Sequence, residues 1–203
     1  RLVQNIRAYG VTEHMSNWFE DFLACRKQRV TIGEASSKWS DVLSGVPQGS
    51  VLGPLLFVIY INDLPDKIEN VTKLYADDSK IISVIKGKLE VEKLQKDLDE
   101  VDYWCQTWGM KLNVEKCKVM HFGKSNLKAN YYMTDYSGNE LYIEKMRLDR
   151  DLGVIVANDL MWSGHVDRMV GKANRMLGML KRTFESREPG LWKDLYASLI
   201  RPH

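Results

Sequence analysis

Leu74-Tyr75-Ala76-Asp77-Asp78-Ser79-Lys80 sets two adjacent carboxylates between two strand-forming segments, Leu74 to Ala76 and Lys80 to Ile85. A two-residue hairpin turn ordinarily takes Asn-Gly or Asp-Gly, which relieve the strain of positive φ. Asp-Asp is a poor substitute, and two like charges held at one turn repel each other. A hard divalent cation offsets that repulsion, and Mg²⁺ prefers carboxylate oxygen while leaving room for phosphate. The pattern therefore points to phosphoryl or nucleotidyl transfer assisted by metal. Neighbouring side chains in extended structure diverge, so Asp77 is read as the direct ligand and Asp78 as its support. A two-metal site needs a further carboxylate from another strand. Asp63 and Asp66 read as helix-end and loop residues, so no clear donor stands out. Taken alone, the pair also fits a solvated loop.

The loop Gly45-Val46-Pro47-Gln48-Gly49-Ser50 narrows the choice. Its glycines let backbone approach a ligand closely. Pro47 stiffens the turn, and Gln48 offers both donor and acceptor atoms to a base or sugar. Ser50 can cap the helix that follows, and Pro54 falls in the first turn, where a missing N–H costs little. That helix, to about Asp63, is apolar on nearly every side and is expected to be buried.

The remaining chain mixes strands and helices in an order that suggests a sheet covered by helices. Residues 1 to 25 read as one helix. Arg29 to Ile32 and Ser37 to Leu43 read as short strands around Gly33. A long helix is expected from Lys88 to Trp108, with Leu94, Leu98, Val101, Cys105 and Trp108 along one stripe. Strand candidates follow at Lys116 to Phe122, Tyr131 to Met133, Glu140 to Ile143 and Gly153 to Ala157. Two helices close the chain, about Gly164 to Phe184 and Pro189 to Ile200. On the first, Val166, Met169, Val170, Ala173, Leu177, Leu180 and Phe184 form an apolar stripe. Arg168, Lys172, Arg175 and Arg182 form a basic stripe opposite. Such a helix suits a phosphate backbone, and equally a solvated basic face. Trp104 and Trp108 read as core.

Bulk properties exclude more than they assign. The 203 residues carry a net charge of +2, so charge alone does not announce a nucleic-acid partner. Three scattered cysteines give neither a disulfide framework nor a zinc site, and suggest a reducing, intracellular compartment. The apolar run Val51 to Ile61 is too short to span a bilayer, and no secretory leader pattern is present. The sequon Asn70-Val71-Thr72 is read as chance. Gly123-Lys124-Ser125 lacks the earlier glycine of a P-loop, since Lys118 stands there.

Taken together, Gly45 to Phe57, Tyr60 to Pro65 and Tyr75 to Asp78 closely resemble the reverse transcriptases of non-LTR (LINE-type) retrotransposons. Trp108, Leu112, Asn113, Lys116 and Cys117 are similar to that family's next block, and Leu152-Gly153-Val154 to the one after. Leu199 to His203 resembles a thumb stretch. The resemblance implies an α/β right-hand polymerase palm with part of the fingers and the start of the thumb, incomplete at both ends. Residues 1–157 would be the fingers and palm portion and 158–203 the start of the thumb. It implies an RNA-directed DNA polymerase that extends a DNA primer on an RNA template with deoxynucleoside triphosphates. Two Mg²⁺ ions, or Mn²⁺, would sit on Asp77 and Asp78. Pro47, Gln48, Gly49 and Lys116 would serve nucleotide and template, Leu152 and Gly153 the primer grip. Arg168, Lys172, Arg175 and Arg182 would follow the nucleic-acid backbone, with nucleus or cytoplasm as the location. The family's other catalytic Asp, and the aromatic residue after it, lie upstream of Arg1. The isolated chain is therefore expected to be inactive, and to be marginally stable because a central palm strand is missing. A non-catalytic retroelement remnant that at most binds nucleic acid is the alternative. A Mg²⁺-dependent nuclease is a further rival, which leaves the Gln48 loop unexplained.

Overall fold

The structure, a computed structural model, describes residues 1–135 and 137–202. His203, the last residue of the thumb-like stretch, lies outside them. In chain order the helices are α1 (Leu2–Ala8), α2 (Glu13–Leu23), α3 (Leu52–Ile61), α4 (Lys88–Trp108), α5 (Ser163–Thr183) and α6 (Pro189–Leu195). The strands are β1 (Lys27–Gln28), β2 (Thr31–Ile32), β3 (Ala35–Ser36), β4 (Ser40–Asp41), β5 (Val71–Tyr75) and β6 (Asp78–Ile82). They continue with β7 (Lys118–Met120), β8 (Tyr132–Thr134), β9 (Glu140–Tyr142), β10 (Glu144–Met146), β11 (Leu148–Asp151) and β12 (Val154–Ala157). The chain forms two compact units, Arg1–Leu112 with Tyr132–Glu140, and Asn113–Tyr131 with the residues from Leu141 onward.

In the first unit α1 packs against α2 and α3. Ile6 and Leu56 are almost fully buried there. The single helix expected over residues 1 to 25 is two helices. Tyr9 ends α1, and Gly10 takes a φ of +83°, which a side chain would disfavour. The Arg1 guanidinium lies 3.6 Å from the Trp108 ring centroid and 4.7 Å from that of Trp104. It also pairs with Asp63 at the end of α3, which gives the buried charge a counter-ion. Trp104 is core as expected, whereas Trp108 is 37% exposed.

The apolar helix α3 is not buried all round. Leu56 and Ile61 face inward, while Val51, Leu55 and Val58 lie exposed at 95, 54 and 47%. The physical reason is that α1 and its neighbours cover one side only, and no described residue covers the other. The anticipated sheet is also absent. Among the described residues the strands pair only in twos, because neither edge of β5–β6 carries a further strand. Residues 27–41 form an exposed ribbon in which β1 pairs with β4 and β2 with β3 about the Gly33 turn.

Helix α4 has the expected bounds. Gly109 closes it in the left-handed conformation (φ +66°), and its N–H caps the carbonyls of the last turn. Val101, Trp104 and Cys105 are buried on its inner face. Asp97 and Asp102 are buried there too, at 3 and 7% exposure.

In the second unit β7 and β10 run parallel, with Lys118 opposite Glu144 and ion-paired to it. β11 and β12 form a hairpin, and α5 packs on β12. His165 Nδ1 accepts a hydrogen bond of 3.3 Å from the Ile155 N–H, tying the first turn of α5 to that strand. This contact turns the helix away from the expected orientation. The inner side runs through His165, Met169, Met176 and Leu180, whereas Val166 and Val170 are half exposed. The sequence stripe placed the apolar residues correctly on one sector and misjudged which edge of that sector meets the strand.

Candidate functional site

The Gly45–Ser50 loop is built by short-range polar contacts that its sequence dictates. Ser50 Oγ donates to the Pro47 carbonyl at 2.7 Å and accepts from the Gly53 N–H at 2.9 Å. The expected cap is therefore made, one residue ahead of the α3 boundary. Gly53 is obligatory, since a Cβ there would lie 2.7 Å from the Pro47 carbonyl oxygen. Gly45 and Gly49 both have positive φ, at +79° and +78°. Arg26 holds the start of the loop by donating to the carbonyls of Ser44 and Gly45. Gln48 and Gly49 are exposed at the loop surface, with Pro47 half-buried behind them.

The carboxylates sit on the β5–β6 hairpin, but the turn is shifted from the sequence reading. Tyr75 pairs with Asp78, so Ala76 and Asp77 make the turn and Asp78 begins the return strand. Ala76 carries the positive φ (+52°) that a tight hairpin demands, a strained value for a residue with a Cβ. Asp77 and Asp78 are both exposed. Tyr75 is 66% exposed beside Asp78 on the outer face of the hairpin. Hard carboxylate oxygens left available at a tip are the donor type a divalent cation takes. Among the described residues no group of three His, Cys, Asp or Glu side chains is placed to enclose an ion. Asp77 and Asp78 are the residues of this hairpin that could hold a cation.

The root of this hairpin rests on groups that the sequence reading passed over. Asp97 accepts hydrogen bonds from the Glu69 N–H (2.9 Å), the Asn70 N–H (2.9 Å) and Asn70 Nδ2 (2.7 Å). Lys93 adds an ion pair to Glu69 at 2.7 Å, and that carboxylate raises the lysine pKa. Asn70 Nδ2 is thereby engaged. Two residues before Asp97 on α4, Gln95 donates to the Tyr132 carbonyl and accepts from its N–H. Asp102 accepts from the Thr134 N–H at 2.6 Å. Burial raises the Asp102 pKa, and the Thr134 hydrogen bond opposes the shift. An acidic residue four positions before Val101 and seven before Trp104 was the signal available for Asp97: it falls in the apolar sector of the helix.

The other expected site residues belong to the second unit. Lys116 is exposed at the end of a single 3₁₀ turn, whose start is capped by Asn113. Leu152 and Gly153 form the two-residue turn between β11 and β12, with φ of +46° and +91°. Leu152 points outward at 57% exposure. On α5, Arg175 and Arg182 are exposed and Arg168 and Lys172 half-buried. His121 stacks on buried Tyr131, and burial, aided by Lys145, lowers its pKa.

The sequence profile of the family described as reverse transcriptase (RNA-dependent DNA polymerase) matches residues 1–166. The chain belongs to the reverse transcriptase family. Within that family it is similar to the RNA-directed DNA polymerase from mobile element jockey of Drosophila melanogaster, at 28% identity over 195 residues. That match covers 90% of this chain and 21% of the relative. The jockey polymerase of Drosophila funebris is 32% identical over 112 residues, covering 51% of this chain and 12% of the relative. The probable RNA-directed DNA polymerase from transposon BS of Drosophila melanogaster is 32% identical over 117 residues, covering 53% and 12%. The LINE-type resemblance of the motifs agrees with these relatives. This chain spans about a fifth or less of their length. No solved structure matches. Among the described residues no helix is long and apolar enough to cross a membrane.

Proposed function

We propose that this chain is the central portion of an RNA-directed DNA polymerase, which extends a DNA 3′ end along an RNA template using deoxynucleoside triphosphates. The observation that carries the reading is the exposed Asp77–Asp78 hairpin, lying inside the stretch matched by the family profile. Asp77, at the turn, would hold a divalent cation, Mg²⁺ or Mn²⁺, with Asp78 beside it. When bound, such a cation supplies charge stabilisation to the attacking 3′ oxygen and the departing pyrophosphate. The chain's own residues bind and orient. Gln48 and Gly49 present an amide and open backbone to the incoming nucleotide and template, and Arg26 fixes their loop. Lys116 places a positive charge for the departing pyrophosphate. Leu152 and Gly153 offer an exposed apolar tip to the primer strand. Arg168, Lys172, Arg175 and Arg182 supply phosphate contacts along α5. Residues 1–157 would form the palm with part of the fingers, and 158–203 the start of the thumb.

Two carboxylates on one hairpin are an incomplete donor set for a two-metal centre. The 203-residue chain by itself is therefore expected to bind a DNA primer annealed to RNA without extending it. The same stretch joined to a segment that supplies the further carboxylate should extend the primer with Mg²⁺. Asp77→Ala should lower that rate by about a thousandfold or more while binding persists. Extension unaffected by Asp77→Ala would remove the assignment. Primer shortening without nucleotide addition would point to a nuclease instead.

A further inference from the structure

The carboxylates of β5–β6 lie at the far end of a hairpin that has no neighbouring strand among the described residues. Its five rungs run from Val71–Ile82 at the root to Tyr75–Asp78 at the tip, about 14 Å at strand spacing. A two-stranded hairpin standing alone is marginally stable and free to twist or splay. What grips the root therefore bears directly on the position of Asp77.

We propose that Asp97 is a positioning residue for the metal-bearing hairpin. The inference rests on the polymerase reading given above and adds to it a device on α4. Asp97 is buried to 3% exposure on the rigid middle of a 21-residue helix. Its two oxygens accept three hydrogen bonds from the two residues immediately before β5. Both backbone N–H groups entering the strand, Glu69 and Asn70, are thus fixed by one side chain. A carboxylate is needed because each oxygen faces a donor, so an amide would turn its own NH₂ toward an N–H. The Lys93–Glu69 ion pair secures the same joint from the adjacent turn of the helix. On either side of Asp97 along the helix, Gln95 and Asp102 bind the Tyr132–Thr134 strand through its backbone. Helix α4 is thereby braced at several points and passes that rigidity to the hairpin through Asp97. Asp97 touches no reacting group in this role: it sets the direction in which Asp77 and Asp78 project.

The test uses the chain with Asp97→Asn, Asp97→Ala and, as a charge control on the exposed side of α4, Glu92→Gln. Two readouts are taken on each: amide hydrogen exchange resolved by residue, and Mn²⁺ affinity from paramagnetic broadening of the Asp77 and Asp78 amides. Asp97→Asn should speed exchange along β5–β6 on the order of 10-fold and leave α3 protected. It should weaken Mn²⁺ binding by about 10-fold, the scale of a lost outer support of a metal ligand. Asp97→Ala, with no acceptor left, should exceed Asp97→Asn in both, and Glu92→Gln should change neither. Unchanged hairpin exchange and Mn²⁺ affinity in Asp97→Asn would overturn the proposal. So would a uniform loss of protection in α3 and the hairpin alike, which would mark Asp97 as general core support. If Mn²⁺ fails to broaden Asp77 and Asp78 in the unsubstituted chain, the metal reading falls. The exchange data still decide whether Asp97 fixes the hairpin.

Discussion

Two hairpins in this chain share a loop length and differ in what the loop carries. β5–β6 turns on Ala76 and Asp77, and β11–β12 turns on Leu152 and Gly153. Both force positive φ, as two-residue hairpins do. β11–β12 meets part of that demand with glycine at +91°, and is backed by α5 through its second strand. β5–β6 meets it with alanine at +52° and places a carboxylate where an Asn-Gly turn would carry glycine. The difference teaches that the first hairpin is not composed for turn stability. Its tip is given to charge, and its root is held by Asp97 instead.

The largest expected effect tests that division of labour. On the proposed polymerase reading, in a chain that completes the donor set, Asp77→Ala should lower extension by about a thousandfold or more, whereas Leu152→Ala should weaken primer affinity by under about tenfold and leave the chemical step in place. A primer titration at saturating nucleotide separates the two outcomes. Equal losses of rate from both changes would erase the functional contrast between the tips.

The turns themselves give effects of opposite sign. Gly153→Val should destabilise the chain by about 2 kcal/mol, because a β-branched residue at that φ is strained. Ala76→Gly should stabilise it by about 1 kcal/mol, since the left-handed conformation costs a residue with a Cβ about that much. Urea midpoints at constant slope measure both. Destabilisation by Ala76→Gly would show that the alanine side chain is packed rather than tolerated.

Much of this arrangement was legible in the sequence, for identifiable reasons. Strong local signals survived: the Lys88–Trp108 bounds of α4, the Ser50 cap, and a hairpin at the two carboxylates, though its turn lies one residue earlier than the Asp-Asp pair. What failed were inferences about partners. α3 read as buried because composition reports apolarity and not whether a neighbour exists to cover Val51, Leu55 and Val58. The apolar arc of α5 read as a core face, and only the His165–Ile155 hydrogen bond fixes which edge turns inward. Asp97 and Asp102 were passed over, since their partners are backbone N–H groups distant in sequence. The break at Gly10 was available, with Thr12 and Glu13 ready to start a second helix. The amphipathic pattern on either side concealed it.

The smallest expected effect contrasts the two units by pH. Burial raises the Asp102 pKa above its ordinary 3.8, so the protonated form is favoured in the fold. Its contribution is fully present below 3.8 and is lost as pH rises through the folded value. His121 is the mirror case. Burial lowers its pKa from 6.5, so its contribution is present above 6.5 and is lost as pH falls through the folded value. The Asp102→Asn chain should therefore gain melting temperature relative to the unsubstituted chain as pH rises from below 3.8. His121→Phe, which keeps a ring against Tyr131, should gain as pH falls below 6.5. Each difference should be a few degrees or less. Because the groups sit in separate units, the two pH dependences should add in the double variant. If they do not add, the two groups are energetically coupled, and the assignment of each pH dependence to its own burial falls.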